Sequence, residues 1–335
     1  MSDAHKLVRH PPPHPSESLP GYVLRLCEAN GYESPRAIFQ VANMNQTETS
    51  WSNFDCTKLA TAANCPVSDL ERLAFRHKDD AQNTKYLLGQ TIGSANLNLT
   101  AARVCPECVA EKGFIEAHWH IDLMIACPIH VQSAVWYCPG CNSRIPWIRK
   151  GLLTCSCGRR LDNRDRSSFQ AADVWLLDLM RCKAIGDRLS RLNEDCVPEA
   201  LLTAMSLSEL LSFVRFLGRM RREVSRSPKD HYAKDLLWAA ARVLTEWPRN
   251  FQMLLGDICP AAAEFKSPDS DDPDLFRSVR EAIHGAYVKS RTLSSASCNT
   301  LPKVASKGHL RANVLPRAQG VSRVEGGHLL AHGCL

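Results

Sequence analysis

The chain has 335 residues, 44% of them hydrophobic, and a formal net charge of +6, which is length enough for two or three domains with cores of their own. No run of about 18 apolar residues offers a membrane span and no charged start leads into an apolar segment, so we expect no membrane, no secretory signal and a reducing cytosol. There the fifteen cysteines are metal ligands or buried thiols rather than a disulfide framework, and the mild positive charge permits nucleic acid as a partner without demanding it.

Residues 1–17 (MSDAHKLVRHPPPHPSE) are proline-rich and polar. Three consecutive prolines cannot join a helix, so this reads as an extended, solvated tail that carries His5, His10 and His14 with it. From Ser18 onward, Leu19, Tyr22, Val23, Leu26 and Cys27 recur at helical spacing and Asn30-Gly31 offers a stop. Ser34-Pro35 starts a second helix with Ile38, Phe39 and Val41. Residues 57–76 (TKLATAANCPVSDLERLAFR) then predict two short helices around an Asn64-Cys65-Pro66 turn. Ser68 is placed as the second helix's N-cap and Glu71 completes a capping box. Two short helices across a small turn is the helix-turn-helix signature. One reading puts the second helix in a DNA groove; the other makes the pair a packing hairpin, and Asp69, Glu71 and Arg72 favour it because they leave no basic face. We take 18–100 as a helical N-terminal domain; residues 77–104 are polar and poorly periodic and read as a loop or short irregular elements leading into the first zinc site.

The stretch around which the chain is organised follows, at 101–162. Cys105/Cys108, Cys127/His130, Cys138/Cys141 and Cys155/Cys157 form four close pairs. A tetrahedral zinc ion needs four soft or imidazole donors, which two tight turns supply two at a time. Eight ligands make two complete structural zinc sites. The simplest partition is sequential, with Cys105, Cys108, Cys127 and His130 on one ion and Cys138, Cys141, Cys155 and Cys157 on the other; an interleaved cross-brace is the alternative. Pro106, Pro128, Pro139, Gly140 and Gly158 suit the turns. Protein fills all four positions of each ion, which argues against zinc catalysis. His118 and His120 read as surface residues, and Trp119 as packing. Arg149, Lys150, Arg159 and Arg160, with Arg144, Arg164, Arg166 and Trp147 nearby, form a basic stretch that could meet phosphate or simply face solvent or protein.

Residues 163–290 read as a helical C-terminal domain. Val174 to Leu192 outline a helix of about twenty residues by their spacing. Ser206 and Glu209 form a capping box ahead of Leu207, Leu210, Leu211, Val214, Leu217 and Met220. A third helix spans roughly 229–246, a short one starts in WPRNFQMLL, and a last one lies near 275–288. From 291 to 335 the chain reads as a weakly ordered tail. The fold expected is therefore mainly α, with small zinc-ribbon-like β or irregular modules. No Walker loop, GxSxG elbow, dinucleotide fingerprint or clustered set of carboxylates for a two-metal nuclease is present.

Three stretches, PSESLPGYVLRLCEANGY, LATAANCPVSDLERL and the cysteine-rich segment from CPECVAEKG to CSCGRRL, with a weaker fourth in WPRNFQMLL, resemble the TniQ family of transposition accessory and target-selection proteins. The likeness covers about residues 14–161. It implies a non-catalytic protein with an N-terminal helix-turn-helix and two zinc motifs, whose ligands would be the eight residues named above. It implies an adaptor that links a target-recognition element, DNA or an RNA-guided complex, to an AAA+ ATPase regulator and through it to a transposase, in some systems as a homodimer. The C-terminal tail departs from the family pattern. A sequence-specific DNA-binding regulator is the competing function, and a nuclease or recombinase lacks the carboxylates it needs.

Overall fold

A computed structural model describes residues 6–76, 85–162, 169–189, 205–221, 229–247 and 249–258. The chain divides into two units, 1–290 and 291–335, and every described residue lies in the first. The helix expected near 275–288, the tail from 291, Arg164 and Arg166 fall outside the described residues. The architecture is mixed helical with small sheets.

The first layer is built on α1 (Leu19–Asn30). Ser18 Oγ accepts from Gly21 N at 3.0 Å, and Gly31 ends the helix at φ 70°, where a Cβ would be strained. Leu19, Tyr22, Val23, Leu24, Leu26 and Cys27 are all fully buried. Helix α2 (Pro35–Val41) starts on the Ser34 cap with proline in its first turn, as read from the sequence. Residues 6–17 correct the expectation of a solvated tail. Leu7 is 3% exposed and donates its N–H to Ala62 O at 2.8 Å. Asn30 exchanges hydrogen bonds with the Arg9 backbone at 2.9 and 2.7 Å. Glu17 is buried and accepts from Arg25 at 2.9 and 2.7 Å, while His14 stacks on Phe114 with centroids 4.3 Å apart. The prolines keep the backbone extended, and side chains at either end anchor it.

Helices α3 (Cys56–Ala63) and α4 (Val67–Leu73) flank the Asn64-Cys65-Pro66 turn. Asp55 caps α3 by accepting from Thr57 N at 3.0 Å. The box expected at Ser68 and Glu71 does not form: Pro66 holds the N-cap position of α4 with φ −58° and ψ 137°, and no side chain caps it. Proline's ring already sets an extended residue there, so the chain turns into the helix two residues earlier than read. The stretch after this unit, read as a loop or short irregular elements, holds a short hairpin, β1 (Lys85–Leu87) with β2 (Gln90–Ile92), in register Lys85↔Ile92. Its turn residues Leu88 and Gly89 have φ of 51° and 80°, the left-handed pair a two-residue hairpin needs.

Among the described residues the further α-helices are α5 (Pro106–Lys112), α6 (Ala171–Ile185), α7 (Leu207–Met220), α8 (Lys229–Leu244) and α9 (Arg249–Ile258). Helix α6 is shorter than its apolar spacing suggested, because Gly186 terminates it at φ 74°. The Ser206/Glu209 box does form, with Glu209 N to Ser206 Oγ at 3.3 Å and Ser206 N to Glu209 Oε2 at 2.9 Å. Of the predicted stripe, Leu207, Leu210, Leu211, Val214 and Leu217 are buried, and Met220 is half-buried against the core. One contiguous apolar core runs from Leu7 to Leu254. Arg215 of α7 fastens this helical layer to the cysteine-rich part: it donates to Asn96 Oδ1 at 2.6 Å, to Ala95 O at 2.9 Å and to Asp122 Oδ2 at 2.9 Å.

Candidate metal centres

The first cluster assembles on α5 and a second small hairpin, β3 (Ala126–Cys127) with β4 (Gln132–Ser133). Cys105 is the N-cap of α5 and Pro106 its first helical residue, so Cys108 follows within the first turn on the same side. Cys127 ends β3, and the chain reverses through His130 and Val131, the latter at φ 51°. His130 Nδ1 lies 3.5, 3.3 and 3.5 Å from the sulfurs of Cys105, Cys108 and Cys127, and Cys108 Sγ lies 3.4 Å from Cys127 Sγ. A tetrahedral zinc site with ordinary bond lengths asks for about 3.8 Å between sulfurs and about 3.5 Å between sulfur and nitrogen. The donors therefore fit such an ion. All three cysteines are buried and His130 is half-buried. Their mutual hydrogen bonds push the Cys105 thiol well below the ordinary range and the Cys108 and Cys127 thiols above it, and a bound cation would displace the protons these donors carry.

Further residues steady this cluster. With Nδ1 turned to the sulfurs, His130 Nε2 faces Glu111 Oε1 at 3.0 Å, an arrangement that fixes the tautomer and orientation of a ligating imidazole. Gln132 Nε2 donates to Cys105 Sγ at 3.2 Å and also to Glu107. His130 N donates to Cys127 Sγ at 3.3 Å. Sequence reading missed Glu111 and Gln132. The usable signal was position: Glu111 stands three residues after Cys108 on one helix face, and Gln132 two residues after His130 on a strand.

Two facing turns make the second cluster. In the Cys138–Cys141 turn, Cys138 N donates to Ser143 O at 2.9 Å and Gly140 N to Cys138 Sγ at 3.3 Å. A Cβ on Gly140 would stand 2.9 Å from Arg159 Cγ, so the arginine stem lies over that turn and glycine is required there. In the Cys155–Cys157 turn, Cys155 N donates to Arg159 O at 2.9 Å and Gly158 takes φ 84°. Cys138 Sγ is 3.6 Å from Cys157 Sγ, and Cys141 Sγ is 3.9 Å from Cys155 Sγ. In each cluster all four donor atoms lie within 4.8 Å of one another, in the sequential grouping rather than the cross-brace. Cys138 and Cys155 are buried, whereas Cys141 and Cys157 are exposed. The second module leans on α1: Glu28 Oε1 accepts from Leu152 N at 2.8 Å, and Lys150 Nζ meets Glu33 at 2.6 Å.

The basic stretch divides. Arg149 is 2% exposed and donates to Pro146 O at 2.8 Å and Leu152 O at 2.9 Å, so it is an internal strut of the second module and no phosphate contact. Arg159 and Arg160 are exposed, as is Lys150 beside its Glu33 partner. His118 and His120, expected at the surface, are 1% and 0% exposed. His120 Nδ1 donates to Asn98 O at 3.0 Å, and the ring sits between Phe75 and Trp147 at 4.6 and 4.8 Å; burial lowers its pKa to about 4. The short apolar sequence around Trp119 carried no period to reveal that both neighbours turn inward. Cys27, Cys56 and Cys182 are buried thiols pushed up by desolvation to about 12, 12 and 11, the inert state expected of cysteines outside the clusters. No helix among the described residues is long and apolar enough to cross a membrane.

Residues 8–133 match the family model TniQ. That match spans α1 to β4 and contains the whole first cluster, and it ends before Cys138. No curated protein matches the chain.

Proposed function

We propose, from the match of residues 8–133 to TniQ, a transposition-associated family, that the chain is a member of that family and a non-catalytic accessory protein of DNA transposition. It links recognition of a target site to an AAA+ ATPase regulator and so to the transposase. The observation that carries this reading is the family match over a region that contains a Cys3His cluster, whose four donors leave no open position on an ion. The ion in both clusters is zinc: sulfur-rich, four-donor sets at tetrahedral spacing suit it, and a site closed by four protein ligands has no position left for an activated water. Cys105, Cys108, Cys127 and His130 hold one ion, and Cys138, Cys141, Cys155 and Cys157 the other.

The α3–α4 pair serves as a protein-packing hairpin. Helix α4 spans seven residues and turns Ser68, Glu71 and Arg72 outward, a face without the net positive charge that phosphate contact calls for. Any contact with nucleic acid falls to Arg159 and Arg160, with Lys150 beside them. The test is a pull-down of the purified chain against the ATPase and transposase of its own element, with and without DNA. Capture of the ATPase without DNA is the expected result. Failure to capture it, together with a tight shift of one particular duplex, would replace the adaptor with a sequence-specific DNA-binding regulator.

A further inference from the structure

The two clusters are built for different exposure. The first buries all three of its sulfur ligands, and its histidine is steadied by Glu111. Gln132 and the His130 backbone donate hydrogen bonds to its sulfurs, which lowers the nucleophilicity of a bound thiolate by occupying its lone pairs. The second places two of its four cysteines, Cys141 and Cys157, at the surface. Each faces a buried cysteine of the opposite turn, Cys155 at 3.9 Å from Cys141 and Cys138 at 3.6 Å from Cys157. Arg159 and Arg160 are exposed beside the Cys155–Cys157 turn, and the Arg159 stem lies over Gly140 in the other turn. Accessible sulfurs with a resolving sulfur close by are what oxidant-reactive cysteines require.

From this contrast we propose that the second cluster is a peroxide-reactive modification site, which opens while the first stays closed. The inference rests on the zinc reading above. Sulfur of Cys141 or Cys157 attacks one oxygen of hydrogen peroxide; the O–O bond breaks, a sulfenic acid forms and hydroxide leaves. The facing thiolate, Cys155 or Cys138 respectively, then attacks that sulfenic sulfur and expels a second hydroxide, leaving a disulfide between the two turns. Peroxide gains two electrons and the two sulfurs lose them, while two protons from solvent convert the hydroxides to water. Two donors cannot retain the ion, so the module gives up its metal. Reduction by a dithiol restores both thiolates.

The experiment uses the full chain, purified and assayed for metal before any oxidant is added. A preparation with no zinc would overturn the zinc reading itself. Starting from two zinc ions per chain, graded peroxide is added and released zinc is followed with a chromophoric chelator. Alkylation and peptide mass spectrometry then locate disulfides. We expect one zinc per chain to leave ahead of the other, a disulfide confined to Cys138, Cys141, Cys155 and Cys157, and rebinding of the ion after reduction. Release of both ions in parallel, first loss from the Cys105 cluster, or no release at peroxide levels that oxidise a free thiol would each overturn the proposal and leave the zinc reading standing.

Discussion

Replacing Glu111 with alanine tests whether the first cluster is a metal site organised beyond its four donors. Glu111 sits on α5 and touches the cluster only through His130 Nε2, at 3.0 Å. Alanine is at least as good a helix former as glutamate, so α5 itself does not suffer. Loss of the carboxylate behind a ligating histidine costs about 10–100-fold in metal affinity. The Glu111 side chain is 62% exposed, so water takes over part of its role and the lower end applies: about tenfold, or about 1.4 kcal/mol. The assay is zinc competition against a chromophoric chelator, resolved into two ions per chain. One ion is expected to weaken about tenfold and the other to keep its affinity. Unchanged affinity for both would remove Glu111 from the metal centre, and equal weakening of both would mean that the substitution acts through the fold.

Four other outcomes are expected. Cys138→Ser should leave one zinc per chain by mass spectrometry and lower the melting temperature, since binding energy at such a site is folding energy; retention of two ions would contradict the ligand assignment. At Gly218, a Cβ would stand 2.5 Å from Leu236 O and 2.8 Å from its Cα, so α7 and α8 must part. Gly218→Ala gains about 1 kcal/mol of helix propensity against an overpacking cost of up to about 3 kcal/mol. A net loss of about 2 kcal/mol in urea unfolding follows, and a variant as stable as the parent would refute the close approach. Arg215→Met removes the donor to Asn96 Oδ1 and to Asp122 Oδ2, while Arg103 still meets Asp122 Oδ1 at 3.4 Å. Because Asp122 is 31% exposed, the expected loss is about 2–3 kcal/mol rather than the full cost of a broken buried pair; a change within the error of the unfolding assay would show the contact to be idle. Finally, burial lowers His120 from 6.5 to about 4. The unfolded chain binds a proton between those values that the folded chain refuses, so stability is intact above about pH 6.5 and falls toward pH 4, by on the order of 3 kcal/mol. His120→Phe keeps a ring between Phe75 and Trp147 and should reduce that slope, leaving the share of His118, which burial also holds well below its ordinary range; an identical pH profile for parent and variant would rule out His120 as a source.

Local chemistry made much of this protein legible without coordinates. Ser18, Ser34 and Gly31 bracket α1 and α2, and the Ser206/Glu209 box starts α7, because caps act within four residues and are written in consecutive positions. The eight metal-ligand candidates were readable for the same reason: each pair belongs to one tight turn, and only the partnering of turns is long-range. Where one local signal competed with another, reading went astray. Pro66 overrode Ser68 as the start of α4, and Gly186 cut short an apolar pattern that continued past it.

Tertiary structure decided what depends on residues far apart in the chain. It grouped the pairs sequentially, because α5 meets the β3–β4 hairpin while the two later turns face each other. Arg149 went inside because the carbonyls of Pro146 and Leu152 could use its donors, whereas Arg159 and Arg160, in the same basic stretch, stayed out. His118 and His120 were buried by neighbours such as Phe75 and Trp147, and residues 6–17 were held down by Ala62, Asn30 and Phe114. Sequence spacing records which residues share a turn or a helix face; which of those faces meets water is set by the rest of the chain folding over it.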